Sequence, residues 1–591
     1  MMRSALFVIL LVSVSFSACS GNITHPVVAV VGDGGGLVNL TIRASPGTGE
    51  DYIGLLPYAG VSTQQSAKYA INYARNAASE DTSDCDITVV FGDLPTGEYV
   101  EGPSAGASMA VMSYALFEGL PVREDAVITG SLEPGGLIGP VGGLYEKAKT
   151  SGQTGIKYFI TPFTNVYEFI TLESVEEQYG IRIIQANTIS EVINFMIYNE
   201  TIEEREASVF ESRIPEDMAP YYDEGLEPFR NVALGMMEFE RYVLDDMPGS
   251  DETLWINEYF NSTIEEQKEY IELGYYFTAA NDAFLNYIEI STINTVFTGD
   301  INLGVKRDSV EYCLDSLERP VMTDENFEWV AGSDLRRAWS ENKLNDTDTD
   351  TLLIEEKHAA YNSLMYADAW CRVSGMLAEN AVAGGNEIDE SGWERLAEQK
   401  ISEAEDYPHS AETLDRLEIA KQSYGDGKYA AAIFDAAYVI SMDYSDLALL
   451  EMTDENLSST VSYYSNRERN SLWGKVYQSQ ALFLIRQNEP NYAAAYRLFI
   501  YADELDNSIA QMELEMEYGE KETRENDIFL FAFSILIFLL FSFVLLFILP
   551  KLKRRSYGSS GKKRRGADRA QQKKTGTGTQ KKLSRAEQKR R

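Results

Sequence analysis

Between Pro26 and about Ile197, short apolar runs rich in β-branched residues alternate with helix-like stretches. Val27–Val31, Ile87–Phe91 and Tyr158–Thr161 have the length and residue types of strands, and Leu37–Ile42 follows Gly34-Gly35-Gly36 in the same manner. Gln64–Ala78 after Gly60, Ala105–Phe117 after Pro103, and Ile189–Ile197 read as helices. The pattern predicts a mixed α/β (α+β) domain over residues 26–198.

Near Thr201 the pattern changes. Glycine and β-branched strands thin out, and amphipathic segments rich in Ala, Glu, Leu and Tyr run on to Arg524, predicting an irregular all-α domain over 202–524. Within it, Leu417–Tyr424, the turn Gly425-Asp426-Gly427 and Tyr429–Val439 read as a helical hairpin with small residues at the crossing. A related pattern recurs at Ala481–Asn488, Tyr492–Tyr496 and Phe499. The two Tyr-Ala-Ala-Ala stretches start 63 residues apart, near twice the tetratricopeptide period, so the region loosely resembles tetratricopeptide hairpins. The stretch Ile202–Asp406 shows no clear period, and the Ala and Tyr positions read as helix-packing positions.

Both ends read as membrane signals. Residues 1–20 carry Arg3, an apolar run from Ala5 to Val14 and small residues around Ser17–Ser20, the outline of a signal peptide. Cys19 also resembles a lipoprotein cleavage site, although Phe16 is an unusual opener. Ile528–Leu549 is an uncharged run of 22 residues, long enough for a transmembrane helix. Lys551, Lys553, Arg554 and Arg555 follow it, which by the positive-inside rule places the tail in the cytoplasm and the body outside. The tail, 551–591, has almost no apolar residue and reads as disordered.

The net charge of −41 hides two opposed populations. The tail holds 17 basic against two acidic residues; the rest, Arg3 aside, holds 33 basic and 90 acidic. Such a body repels phosphates, so no nucleic acid is expected as a partner of the ectodomain. If Cys19 leaves with the leader, three cysteines remain, with no Cys-x-x-Cys pair. A Cys313–Cys371 disulfide suits an exported protein, and buried free thiols are the competing reading. His-Glu-x-x-His is absent as well, so neither a metal nor a cofactor is implied.

Glu101-Gly102-Pro103-Ser104-Ala105-Gly106 precedes an Ala-rich apolar helix. That puts the Ser104 hydroxyl near free backbone N–H groups that stabilise an oxyanion, or else makes Ser104 an ordinary N-cap. A second stretch changes the balance: Ile128-Thr129-Gly130, then Pro140-Val141-Gly142-Gly143-Leu144-Tyr145-Glu146-Lys147. Together they resemble the proteolytic domain of Lon proteases, with its Gly-Pro-Ser-Ala-Gly nucleophile motif, a following Thr-Gly and a Gly-Gly-Leu-x-Glu-Lys motif. Ser104 and Lys147 stand 43 residues apart without a gap in the likeness, which extends to Ser66 at the preceding helix and to Ile160-Thr161-Pro162. The resemblance implies a Ser104 nucleophile and a Lys147 base, with Thr129 orienting the amine and Glu101 and Ala105 in support. Lys149 misses the motif register.

Two departures stand out. Val100-Glu101 replaces the usual Lys-Asp, and Ser131 replaces a frequent Glu, with Leu132–Gly136 following its own pattern. No Gly-x4-Gly-Lys-Ser/Thr occurs, so the ATPase module of a typical Lon is not found. Only His25, His358 and His409 exist, none in a triad motif, whereas a lysine desolvated by apolar neighbours can serve as base. The expectation is an ATP-independent, membrane-anchored serine endopeptidase that cleaves unfolded or flexible polypeptides outside the cytoplasm. The resemblance implies ring-like homo-oligomers. The alternatives are an inactive Lon-like scaffold whose helical domain binds envelope proteins, and a protease acting only on its own chain.

Overall fold

The computed structural model describes residues 19–31, 34–48, 61–79, 81–92, 102–202, 214–215, 217–350, 354–449, 452–488 and 490–516. All of them fall in one unit that ends at Glu517. Residues 1–18 of the expected signal peptide, Glu101, the apolar run 528–549 and the basic tail lie outside the described residues. Among the described residues no helix is long and apolar enough to cross a membrane.

The β-rich half opens with strands β1 (Gly21–Val31), β2 (Gly34–Pro46) and β3 (Cys85–Gly92), an antiparallel sheet in the order β1-β2-β3. Along β3, Cys85, Ile87, Val89 and Phe91 are buried while the residues between them are not, the period of a half-buried strand. Strands β4 (Ala126–Ile128), β7 (Tyr158–Thr161) and β8 (Arg182–Gln185) form a parallel sheet in the order β4-β7-β8, and β5 (Ser131–Glu133) pairs with β6 (Leu137–Gly139) as a hairpin. Helices α1 (Val61–Ala77), α2 (Gly106–Glu118), α3 (Leu144–Gln153), α4 (Val166–Tyr179) and α5 (Ile189–Met196) complete this half. Helix α2 is apolar nearly all round, and 11 of its residues are buried between α1 and the sheets, so its N terminus has a fixed aim.

The Cys313–Cys371 disulfide is present, whereas Cys19 departs from the expectation that it leaves with the leader. Cys19 is bonded to Cys85 and Cys313 to Cys371, and no cysteine is free. Cys19 therefore belongs to the folded body, tying the chain ahead of β1 to the start of β3.

The second half is wholly helical: α6 (Phe229–Asp245), α7 (Asp251–Glu272), α8 (Tyr276–Thr298), α9 (Leu303–Ser316), α10 (Phe327–Asp346), α11 (Ile354–Asn380), α12 (Glu394–Glu405), α13 (Ala411–Gly425), α14 (Tyr429–Leu449), α15 (Asp454–Ser465) and α16 (Leu472–Arg486), then a helix over 492–516. The expected hairpin is α13–α14. Gly427 takes φ +73 in its turn, a conformation glycine adopts without strain, and Ala430, Ala431, Ala436 and Ala437 let the helices approach closely. The Cys313–Cys371 bond joins α9 to α11.

The halves meet at specific polar contacts. Glu289 of α8 accepts the Tyr167 N–H at the start of α4 at 2.8 Å. Burial pushes this carboxyl up to about 7, against the pull of the backbone N–H donors. Phe169 meets Trp255 edge to face at 6.2 Å.

Candidate active site

Ser104 lies in the turn before α2 and is half-buried. The helix is capped by Ala105, with no side-chain capping bond, so the Ser104 hydroxyl does not serve as a cap. The loop that carries it is gripped from two sides. From α1, Ser62 accepts the Gly102 N–H at 3.1 Å, Thr63 donates to the Gly102 carbonyl at 3.1 Å, and Ser66 donates to the Pro103 carbonyl at 2.9 Å. From the end of β4, the Gly130 N–H donates to the Ser104 carbonyl at 3.0 Å, and the Ala107 N–H donates to the Gly130 carbonyl at 3.1 Å. Gly102 sits at φ +106, a value that side chains resist, and gives the loop its sharp entry. A methyl group at Gly106 would collide with Ser66 Oγ and stand 3.0 Å from the Leu132 nitrogen, so glycine there lets α1, α2 and β5 close together.

Lys147 is on α3 and only 3 % exposed. Gly143 ahead of it is left-handed at φ +68, which turns the chain so that Lys147 Nζ folds back and donates to the Gly142 carbonyl at 2.8 Å. Among the described residues no carboxylate comes within ion-pair distance of Nζ. Burial lowers the amine's pKa to about 8, only partly opposed by the Glu146 charge. Lys149 stays at the surface, its ammonium 5.3 Å from the Tyr145 ring.

Thr129 is joined to the Ser104 carbonyl and Ala105 caps α2, while Lys147 Nζ bonds to Gly142 and, among the described residues, not to the Ser104 hydroxyl. Thr129, fully buried, donates its hydroxyl toward the Ser104 carbonyl at 3.4 Å; it supports the nucleophile's peptide instead of the lysine amine. Glu101 lies outside the described residues. Ser62 and Thr63 were not foreseen: a Ser-Thr pair opening a helix reads only as capping, and its partner lies 40 residues on.

The histidines are engaged elsewhere. His25 has both ring nitrogens 2.9 Å from backbone carbonyls, of Pro26 and Arg123; His358 bonds Thr295; and His409 bonds Asp443 at 2.7 Å. No group of His, Cys, Asp and Glu able to hold a metal ion occurs among the described residues.

Beside Gly102 and Pro103 opens a cleft of about 500 Å³ whose walls come from both halves. Ser131, Glu133 and Pro140 face Glu412, Tyr438 and Asp446 of the helical half. Arg497 crosses it, bonded to Asp446 at 2.7 Å and to Glu133 at 3.3 Å. A base with a lowered pKa, a serine free of capping duty at a helix start, and an adjoining cleft can together support acyl transfer.

Residues 24–199 match the family described as the Lon protease (S16) C-terminal proteolytic domain. The chain thus carries a Lon-type proteolytic domain, the domain of a serine peptidase, followed by an all-helical region. It is 32% identical over 123 residues to Lon protease 2 of Bacillus subtilis, covering 21% of this chain and 21% of that one. It is 34% identical over 117 residues to the archaeal Lon protease of Archaeoglobus fulgidus, covering 20% and 18%. Over 114 residues it is 40% identical to the archaeal Lon protease of Pyrococcus abyssi, covering 19% and 11%. The chain spans about a fifth or less of the length of these relatives.

Proposed function

We propose that this chain is an ATP-independent serine endopeptidase, held in a membrane by residues 528–549, whose body cleaves unfolded or flexible polypeptides outside the cytoplasm. The observation that carries the chemistry is the buried amine of Lys147, shifted toward neutrality by desolvation within a Lon-type domain. The neutral amine takes the Ser104 proton as Oγ bonds to the substrate carbonyl carbon. Backbone N–H groups at the start of α2 stabilise the oxyanion. The lysine ammonium then protonates the departing amine, and water, deprotonated by the same lysine, hydrolyses the acyl-enzyme.

Export is supported by two disulfides, which persist in oxidising compartments. A leader consistent with the Cys19–Cys85 bond is cut before Cys19. Independence from ATP is supported by the lack of a phosphate-binding loop motif in the sequence. The mixed walls of the cleft give the helical half a hand in choosing the substrate, and a homo-oligomer follows from the resemblance to ring-forming Lon domains.

The test is cleavage of casein by the full-length chain in non-ionic detergent without ATP, beside folded Ser104→Ala and Lys147→Ala variants. Loss of cleavage in both variants supports the dyad. One observation favours the scaffold reading: Lys147 Nζ is bonded to Gly142 and not to Ser104. A parent chain as inert as its variants puts that reading first.

A further inference from the structure

Within the helical half, a cavity of about 190 Å³ lies among α6, α8, α10, α11, α13, α14 and α16. Three of the chain's six tryptophans, Trp339, Trp370 and Trp473, stand in its walls. Two arginines face it as well. Arg416 is paired with Asp435 at 3.3 Å. Arg336 has no carboxylate within ion-pair distance among the described residues, although it is only 4 % exposed. Its guanidinium lies 4.7 Å from the Trp339 ring and 4.4 Å from the Trp473 ring. One terminal nitrogen donates to the Tyr477 hydroxyl at 3.3 Å, and Nε finds no acceptor among the described residues.

Two guanidinium cations thus share an aromatic enclosure with one carboxylate, in a chain whose net charge is −41. A cation withdrawn from water calls for an anion or a full set of acceptors. Stacking on indole faces offsets part of that cost and leaves the Nε donor unmet.

We infer that this cavity binds a carboxylate carried on a single ring-sized apolar group, with Arg336 as the anion anchor and the tryptophans as the apolar walls. The guanidinium fork matches a carboxylate through two parallel hydrogen bonds. An apolar cavity of about 150 Å³ admits benzene, and drug-sized ligands need roughly 300 Å³ or more, so the volume here suits one large side chain. That is the chemistry of a polypeptide's C-terminal residue, and equally of a small free arylalkyl acid. Tyr438 favours the polypeptide end. It lines both this cavity and the cleft beside Ser104, and its hydroxyl donates to Glu412 in the cleft wall at 2.5 Å. The cavity and the cleft thus share one wall, which suits a polypeptide end better than a free acid. The inference rests on the helical half alone and does not require Ser104 to be a nucleophile.

The full-length chain in non-ionic detergent is titrated with N-acetylphenylalanine, its amide and 3-phenylpropionate while tryptophan emission is followed. N-acetylphenylalanine is expected to change the emission saturably, with the amide roughly tenfold weaker or worse. Equal responses to acid and amide, or none to the acid at millimolar concentration, overturn the proposal. If 3-phenylpropionate binds as well as N-acetylphenylalanine, the site takes free carboxylic acids; if only the N-acetyl amino acid binds, it takes polypeptide ends. Both results uphold the shared chemistry. Arg336→Gln is expected to erase the acid's advantage over the amide, and Arg336→Lys to keep part of it. A folded Arg336→Gln variant that binds the acid like its parent overturns the assignment; should that variant not fold, the acid–amide comparison in the unaltered chain decides.

Discussion

The Arg497 guanidinium reaches the Glu133 carboxylate at 3.3 Å, joining residues 364 apart in the chain. Glu133 ends β5, just beyond the Ser131 position that departs from the Lon pattern, and Arg497 belongs to the last described helix. Asp446 on α14 completes the pair at 2.7 Å, its own pKa raised by burial and drawn back by Arg497. The buried Tyr69 hydroxyl of α1 has no hydrogen-bond partner among the described residues. The local pattern that departs from the family is thus one of the places where the helical half meets the proteolytic domain.

Arg497→Met leaves two carboxylates facing one another at this seam. Because the guanidinium is a quarter exposed, the expected loss of stability is moderate, about 1–3 kcal/mol by urea denaturation. The KM for casein is expected to rise, with little change in the turnover of a small ester that does not span the seam. Glu133→Gln should show the same split more weakly.

The amine pKa of about 8 gives activity a definite pH dependence. Since the neutral form accepts the Ser104 proton, kcat/KM should climb through about pH 8 and level off above it. Lys147→Arg keeps a positive charge but cannot deprotonate there, and is expected to be inactive at every pH and less stable than the parent. A profile that is flat between pH 6.5 and 9.5 would remove Lys147 from the role of base.

The same shift has a consequence for stability. The folded pKa lies below the ordinary lysine value of 10.5, so the unfolded chain binds the proton more strongly. Stability should rise with pH between about 8 and 10.5, where the unfolded chain still holds a proton the folded chain has lost. Lys147→Met removes this burden. It should stabilise the protein at pH 7 by on the order of 1–3 kcal/mol, with the gain shrinking across that window, as pH-dependent thermal unfolding can show.

Gly106→Ala tests the positioning of the nucleophile loop. The added methyl must push against Ser66 Oγ and the Leu132 backbone, shifting the start of α2. A displacement of about 1 Å can cost on the order of a hundredfold, so kcat is expected to fall far more than the melting temperature. Ser66→Ala in the same background gives the methyl room and should restore part of the activity.

Much of the proteolytic half was legible because its information is local. Strand runs, helix starts and the two glycine-rich motifs each sit within a few residues, and observed boundaries such as Tyr158–Thr161 agree with expectation. The α13–α14 hairpin was legible for the same reason, through its glycine turn. Helices α6 to α12 were not resolved singly, since members such as α8 are buried on most sides and lose the amphipathic period. Of the contacts between distant segments only the Cys313–Cys371 pair was open to reading, through residue type; Glu133 showed only as a departure, and Cys19 as part of a leader. Burial separates Lys147 from Lys149, and for that the sequence offered only motif register.

The Cys19–Cys85 bond closes a covalent ring spanning 66 residues, and α1, whose Ser62, Thr63 and Ser66 grip the nucleophile loop, lies inside it. Before that bond forms, the whole ring is an open chain with far more freedom. On the exported reading, the oxidising side of the membrane supplies the final fastening of the Ser104 loop. A newly made copy still among reduced thiols would lack that cross-link, and its fold would be less stable than that of the finished protein.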